Sequence, residues 1–169
     1  MRALAALLVA GCGGGQAPPP VTLRESPAES ILRIGRVWQA RESETGFMSA
    51  PSPVATFQSD VVSRLTLADK GPGREKLEYS DRFTLRDGRV ATCASTLEQE
   101  LAVVYGLKGG MPAIELEWAA ALPKRACDLP GFAPPLLERR AGRARFVLRD
   151  DRLVGVEPPG EKRSFIPVE

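Results

Sequence analysis

Lys76-Leu77-Glu78-Tyr79-Ser80-Asp81-Arg82-Phe83-Thr84-Leu85-Arg86-Asp87-Gly88-Arg89-Val90 is the stretch that decides the fold. Leu77, Tyr79, Phe83 and Leu85 lie near one face at period two, which marks a half-buried strand. The run ends in Asp87-Gly88, the strongest short-range hairpin signal, and strand formers resume at Val90.

The same grammar extends in both directions. Upstream, Thr56 to Ala68 carries Phe57, Val61, Val62, Leu65 and Leu67, and Ile31 to Ala40, with Ile34 and Trp38, reads as a first strand. Downstream, Leu97, Leu101, Val103 and Tyr105 continue the alternation, although Ser95 to Val104 also fits a helix with a capping residue and Glu98. Gly106 to Gly110 reads as a turn. Ile114, Leu116 and Trp118 alternate with Glu115 and Glu117, Phe146 and Leu148 run into an Asp150-Asp151 turn, Val154 and Val156 answer them, and Phe165 to Val168 closes the chain. Short turns between alternating runs, with no long helical period, predict an all-β antiparallel meander of about seven to nine strands, a barrel or a sandwich. The barrel is preferred because closure removes exposed strand edges.

One stretch breaks the pattern. Leu122 to Gly142 carries Pro123, Pro130, Pro134 and Pro135 and no strand period, and Pro135 can open a short helix over Leu136 to Arg140. Long ordered loops in compact domains are often functional. Arg125, Phe132, Leu136, Arg139 and Arg140 are therefore the candidate recognition residues. Lys124, Arg125, Arg139, Arg140, Arg143 and Arg145 form a basic cluster, read as a solvated surface balanced by Glu138 and Asp128, with attraction to anionic lipid as the lesser reading.

The amino terminus carries a different message. Arg2 precedes an apolar run from Ala3 to Ala10, too short to span a bilayer, followed by Val9-Ala10-Gly11-Cys12 and Gly13-Gly14-Gly15. This segment resembles a bacterial lipoprotein signal, matching the four-residue lipobox position by position. The resemblance implies residues 1–11 as a cleaved signal, Cys12 as the lipidated residue, and an envelope protein held in the membrane by a covalent lipid anchor. Gly13 in place of Asp at the sorting position implies the outer membrane. Residues 12–29, rich in Gly and Pro, read as a tether, and 30–169 as one domain. Export also bears on Cys93 and Cys127, since two thiols in an oxidising compartment usually pair; two separate buried thiols are the alternative.

Composition narrows the chemistry. The chain has 169 residues, 23 Lys plus Arg against 21 Asp plus Glu, and no His. A near-neutral domain has no electrostatic drive toward nucleic acid. The absence of His removes the usual neutral-pH general base and the commonest transition-metal ligand. Glu115 and Glu117 share a face but alternate with apolar neighbours, so they read as solvent-facing rather than as a catalytic pair. No catalytic, metal or cofactor site is expected. Two functions follow: a non-enzymatic, membrane-anchored domain that docks on an envelope partner through the Leu122–Gly142 excursion, or a lipocalin-like barrel that holds a small apolar ligand against aromatic walls such as Trp38 and Trp118.

Overall fold

A computed structural model describes residues 36–68, 71–135, 138–158 and 163–168. The signal, Cys12, the tether, Ile31 to Ile34 and Leu136 lie outside the described residues. Nine strands run in chain order: β1 (Val37–Phe47), β2 (Val54–Thr66), β3 (Gly73–Leu85), β4 (Val90–Lys108), β5 (Met111–Trp118), β6 (Lys124–Cys127), β7 (Gly142–Arg149), β8 (Arg152–Glu157) and β9 (Ser164–Val168). All pairings are antiparallel, and no helix occurs among the described residues. The order β3-β2-β1-β9-β8-β7-β5-β4, with β4 returning to β3, closes an eight-stranded barrel, and β6 is the extra strand.

The turn chemistry explains the meander. Asp150 and Asp151 both have positive φ, as do Gly109 and Gly110, which is what two-residue hairpins with the right twist require. The second turn is therefore tighter than Gly106–Gly110, because Gly106 to Lys108 still belong to β4. Ser95 to Val104 is strand throughout, so the helical alternative fails there. Its Ser95, Leu97 and Leu101 face inward at period two, and packing on the barrel wall decides between two locally tolerable structures.

Strand lengths are unequal, and this shapes the molecule. β1 to β4 run 11, 13, 13 and 19 residues, whereas β7 to β9 run 8, 6 and 5. Where all eight strands overlap, Trp38, Leu65, Leu67, Leu101, Ile114, Leu116, Phe146, Leu153 and Phe165 fill the interior. Beyond that closed end the four long strands continue as a splayed sheet. A second apolar cluster forms there from Val54, Phe83, Leu85, Ala91 and Cys93, with Met48, Phe57, Cys127, Leu129 and Phe132 packed on it.

The proline-rich stretch carries one short strand that its sequence does not announce. Lys124–Cys127 forms β6 on the same edge of β4 that carries β5, so β6 continues the line of β5. Five residues of β4, Leu97 to Leu101, face six, Trp118 to Pro123, and the one extra residue breaks the strand between them. Ala121 and Arg139 make an isolated bridge that prolongs the β5–β7 register. Glu138, Arg139 and Arg140 are not helical. Ala121 and Arg139 instead exchange backbone hydrogen bonds in both directions, at 2.9 and 3.0 Å.

Candidate functional site

The site begins with a conflict of phase on β3. Inward positions on this strand are the odd-numbered ones, and they include Glu75 and Asp81 alongside Leu77, Tyr79, Phe83 and Leu85. Both carboxylates are buried between the two apolar clusters. A buried charge is tolerated only when paired and hydrogen-bonded, and the chain supplies the partners from its proline-rich segment and from Arg163, the residue before β9.

Glu75 is saturated. Ser63 Oγ donates to Oε1 at 2.8 Å, Gln99 Nε2 donates to Oε2 at 2.9 Å, Arg139 Nη2 lies 2.8 Å from Oε2 and Arg163 Nη1 lies 3.5 Å from Oε1. Asp81 accepts from Ser59 Oγ at 2.6 Å and pairs with Arg125 Nη2. Arg125 also donates to Ser95 Oγ at 3.1 Å and to the carbonyl of Pro135 at 2.8 Å, and its guanidinium lies over the Phe83 ring. One arginine thus ties the inner face of the sheet to the segment that crosses it.

Trp118 joins the same group. Its ring lies across Gly142, directly opposite in the β5–β7 register, where a Cβ would come within 3.1 Å of the indole. Nε1 donates to the Arg140 carbonyl at 2.9 Å, and the guanidinium groups of Arg139 and Arg163 lie 4.5 and 5.3 Å from the ring centroid. Contacts of this kind hold a cation over the negative face of an aromatic ring. Burial pushes the Arg139 guanidinium below its ordinary pKa, opposed by the Glu75 charge. Burial also raises the Tyr79 phenol, with the Arg139 charge acting against it.

These groups line a side opening of about 430 Å³, bounded by Ala40 and Glu42 of β1 on one wall and by Trp118, Glu138, Arg139 and Arg140 on the other, with Tyr79 inside. The opening exists because β9 accompanies β1 only along Val37 to Gln39, after which β1 is paired with β2 alone among the described residues. It can present carboxylate, guanidinium, phenol and indole to one visitor.

The candidate recognition residues divide accordingly. Arg139 and Arg140 reach the opening, Arg125 and Phe132 do not, and Leu136 is outside the described residues. Phe132 packs on Phe83 at a centroid distance of 5.5 Å, closing the splayed cluster. The expected solvated basic surface is corrected for Arg125 and Arg139, whose side chains are 16% and 12% exposed, because the buried carboxylates of β3 draw them inward. Glu115 is on the outer face, held by Arg145 at 2.5 Å across the β5–β7 ladder. Trp118 lines the opening, while Trp38 is sealed in the closed-end core and forms no wall of it.

Cys93 and Cys127 form a disulfide, directly opposed in the β4–β6 register with Cα atoms 4.1 Å apart. Asp128 N donates to the Thr92 carbonyl at 3.0 Å, so the cysteines occupy the next, non-hydrogen-bonded pair, where side chains approach most closely. Among the described residues no group of three or more metal-ligating side chains is assembled. Glu75, Asp81 and Arg163 were not singled out from sequence. The first two carried a signal, a charge in phase with an apolar face; Arg163 carried none. No protein-family model matches the chain, and no curated protein or solved structure matches it significantly.

Proposed function

We propose that the chain is a lipid-anchored protein of the bacterial cell envelope, sorted to the outer membrane, and that its barrel is a non-enzymatic interaction domain that docks on an envelope partner. The anchor rests on the lipobox-like Val9-Ala10-Gly11-Cys12. The observation that carries the binding reading is the side opening between β1 and the Trp118 to Arg140 wall, where charges of both signs and two aromatic rings converge beside a barrel filled at both ends. Mixed polar groups around aromatic anchors are what recognition surfaces use. The docking surface is therefore the opening and its rim, with Arg140 contributing from the proline-rich segment while Arg125 and Phe132 hold that segment in place.

Two measurements test this. Intact mass of protein purified from its own membranes should give a chain that begins at Cys12 with acyl mass added, and Cys12→Ser should leave an uncleaved, unlipidated precursor; a membrane-bound mature product from that variant overturns the anchor. A photoreactive residue placed at Arg140 should cross-link a specific envelope protein in living cells, whereas one placed at Arg152, in the β7–β8 hairpin, should not. Equal patterns at both positions overturn the opening as the docking surface.

The barrel also supports a second reading, a lipocalin-like binder of a small molecule. A cavity of about 430 Å³ with the Trp118 indole on its wall is within the size range of small-ligand pockets. A non-covalent adduct retained in native mass spectrometry, with no cross-linked protein at position 140, would decide for it.

A further inference from the structure

The free edge of β1 is a second feature of the same opening. Met48 N donates to the Ala55 carbonyl at 3.0 Å in the register that pairs Phe47 with Thr56, so Met48 and Ala55 are a hydrogen-bonded pair. Antiparallel ladders alternate. The even-numbered residues of β1 therefore direct their N–H and C=O groups to β2, and the odd-numbered ones direct theirs to the opposite edge. Along Val37 to Gln39 that edge is taken by β9, and Pro167, which has no N–H, falls opposite Trp38 at a position that needs none. Past Gln39, the backbone groups of Arg41, Ser43, Thr45 and Phe47 face outward with no strand beside them among the described residues. These four residues span a length on which a strand of about six residues can pair.

We propose that this edge, Arg41 to Phe47, accepts an extended segment of a partner protein as an added strand; the inference rests on reading the domain as an interaction module. Addition to a sheet edge takes affinity from the main chain and specificity from alternate side chains. Here the alternate positions on the opening's face of β1 are Glu42 and Glu44, both exposed. A segment with Lys or Arg at every second position would set cations opposite them, and oppositely charged cross-strand pairs are favourable.

A second copy of this chain is the wrong occupant. Antiparallel self-pairing that keeps the two openings on one side of the combined sheet sets Glu44 against Glu44 in the register of fullest overlap, with Arg41 opposite Phe47, and Glu42 against Glu44 or against Glu42 when the register shifts toward Arg41. Like charges directly opposed destabilise a ladder. Self-pairing in these registers is thus disfavoured, which also guards against edge-to-edge aggregation.

The probe is a fluorescein-labelled peptide, acetyl-Thr-Val-Lys-Thr-Lys-Val-Thr-amide, with a control carrying Glu in place of both Lys. In the free protein, the amides of Glu42 and Glu44 should exchange slowly and those of Arg41, Ser43 and Thr45 quickly. The Lys peptide should slow the second set at least tenfold and the Glu peptide should not. Thr45→Pro removes one outward N–H without touching the β2 ladder, so it should keep the melting temperature and weaken the Lys peptide at least tenfold. Odd-numbered amides already protected in the free protein, or equal binding of both peptides or of both proteins, overturn the proposal. A cross-link at position 140 that survives Thr45→Pro sinks strand addition and leaves the docking domain standing; peptide protection with no cellular cross-link does the reverse.

Discussion

The two ends of this barrel solve the same problem by different means. At the closed end eight strands overlap, and the interior is apolar side chains alone, from Trp38 to Phe165. At the splayed end only β1 to β4 continue, and a sheet open on one side cannot bury its inner face by itself. The chain finishes that end with a proline-rich segment that contributes only the short strand β6, a disulfide, and two buried carboxylates answered by arginines. The first end is stabilised by apolar burial spread over many contacts. The second depends on a few specific pairs, which is why it can also leave a polar opening at its base.

The largest expected effect comes from breaking the closed end. Phe146 is fully buried and meets Phe165 edge to face at 5.3 Å. Phe146→Ala should cost about 3–5 kcal/mol, lowering the melting temperature by roughly 10 °C in a transition that takes both ends together, as followed by circular dichroism. Loss confined to one end would mean that the two regions unfold separately. Next is Glu75→Gln, which leaves Arg139 and Arg163 beside a neutral amide. Removing one member of a buried pair costs about 3–5 kcal/mol because the other charge stays desolvated. Here the even-numbered amides of β1 and those of β3 near the opening should lose exchange protection before those of β7 and β8. A uniform loss would place Glu75 in the closed-end core instead.

How much of this was legible in sequence follows the same division. Much of the closed end announced itself, because Ile114, Leu116, Phe146 and Phe165 obey period two and the hairpins carry Gly-Gly and Asp-Asp turns, but β8 buries Leu153 and not the expected Val154 and Val156. The hairpin at Asp87-Gly88 gave β3 and β4 directly. The splayed end was harder. Prolines at 123, 130, 134 and 135 left the segment without a strand period, yet four residues, Lys124 to Cys127, are enough to pair with β4 once a disulfide lies in register. Arg125 and Arg139 looked solvated since most arginines are, and only the contact with β3 shows where they point. Glu75 and Asp81 could have been caught by asking why a strand places carboxylates in the phase of its apolar face.

The disulfide gives the third test. Replacing both cysteines, Cys93→Ser with Cys127→Ser, removes a constraint on a loop of 34 residues' separation, for which the expected loss is about 2–4 kcal/mol. The comparison sharpens it: amides of β6 and of Leu129, Gly131 and Phe132 should exchange much faster, while β7 to β9 change only by the overall loss of stability. Equal acceleration everywhere would show that the crossing segment is held by its ion pairs and by Phe132 without help from the link.

The smallest effect probes the layer where the two ends meet. Burial raises the Tyr79 phenol above its ordinary value, so in the folded chain it stays protonated at a pH where the unfolded chain has begun to ionise. Stability from this source is fully present below the unfolded pKa, about 10, and is lost as pH rises toward the folded value. The slope cannot exceed about 1.4 kcal/mol per pH unit for one proton. Urea unfolding of the wild type between pH 9 and 11 should therefore fall more steeply than that of Tyr79→Phe, with the curves parallel below pH 9. Tyr105, the other tyrosine, donates to the Ala68 carbonyl at 3.2 Å and is common to both proteins, so its contribution cancels. Identical slopes would mean that water already reaches the phenol through the opening. The apolar clusters would then be separated by a wet channel, and the polar layer would be a binding surface first and a structural one second.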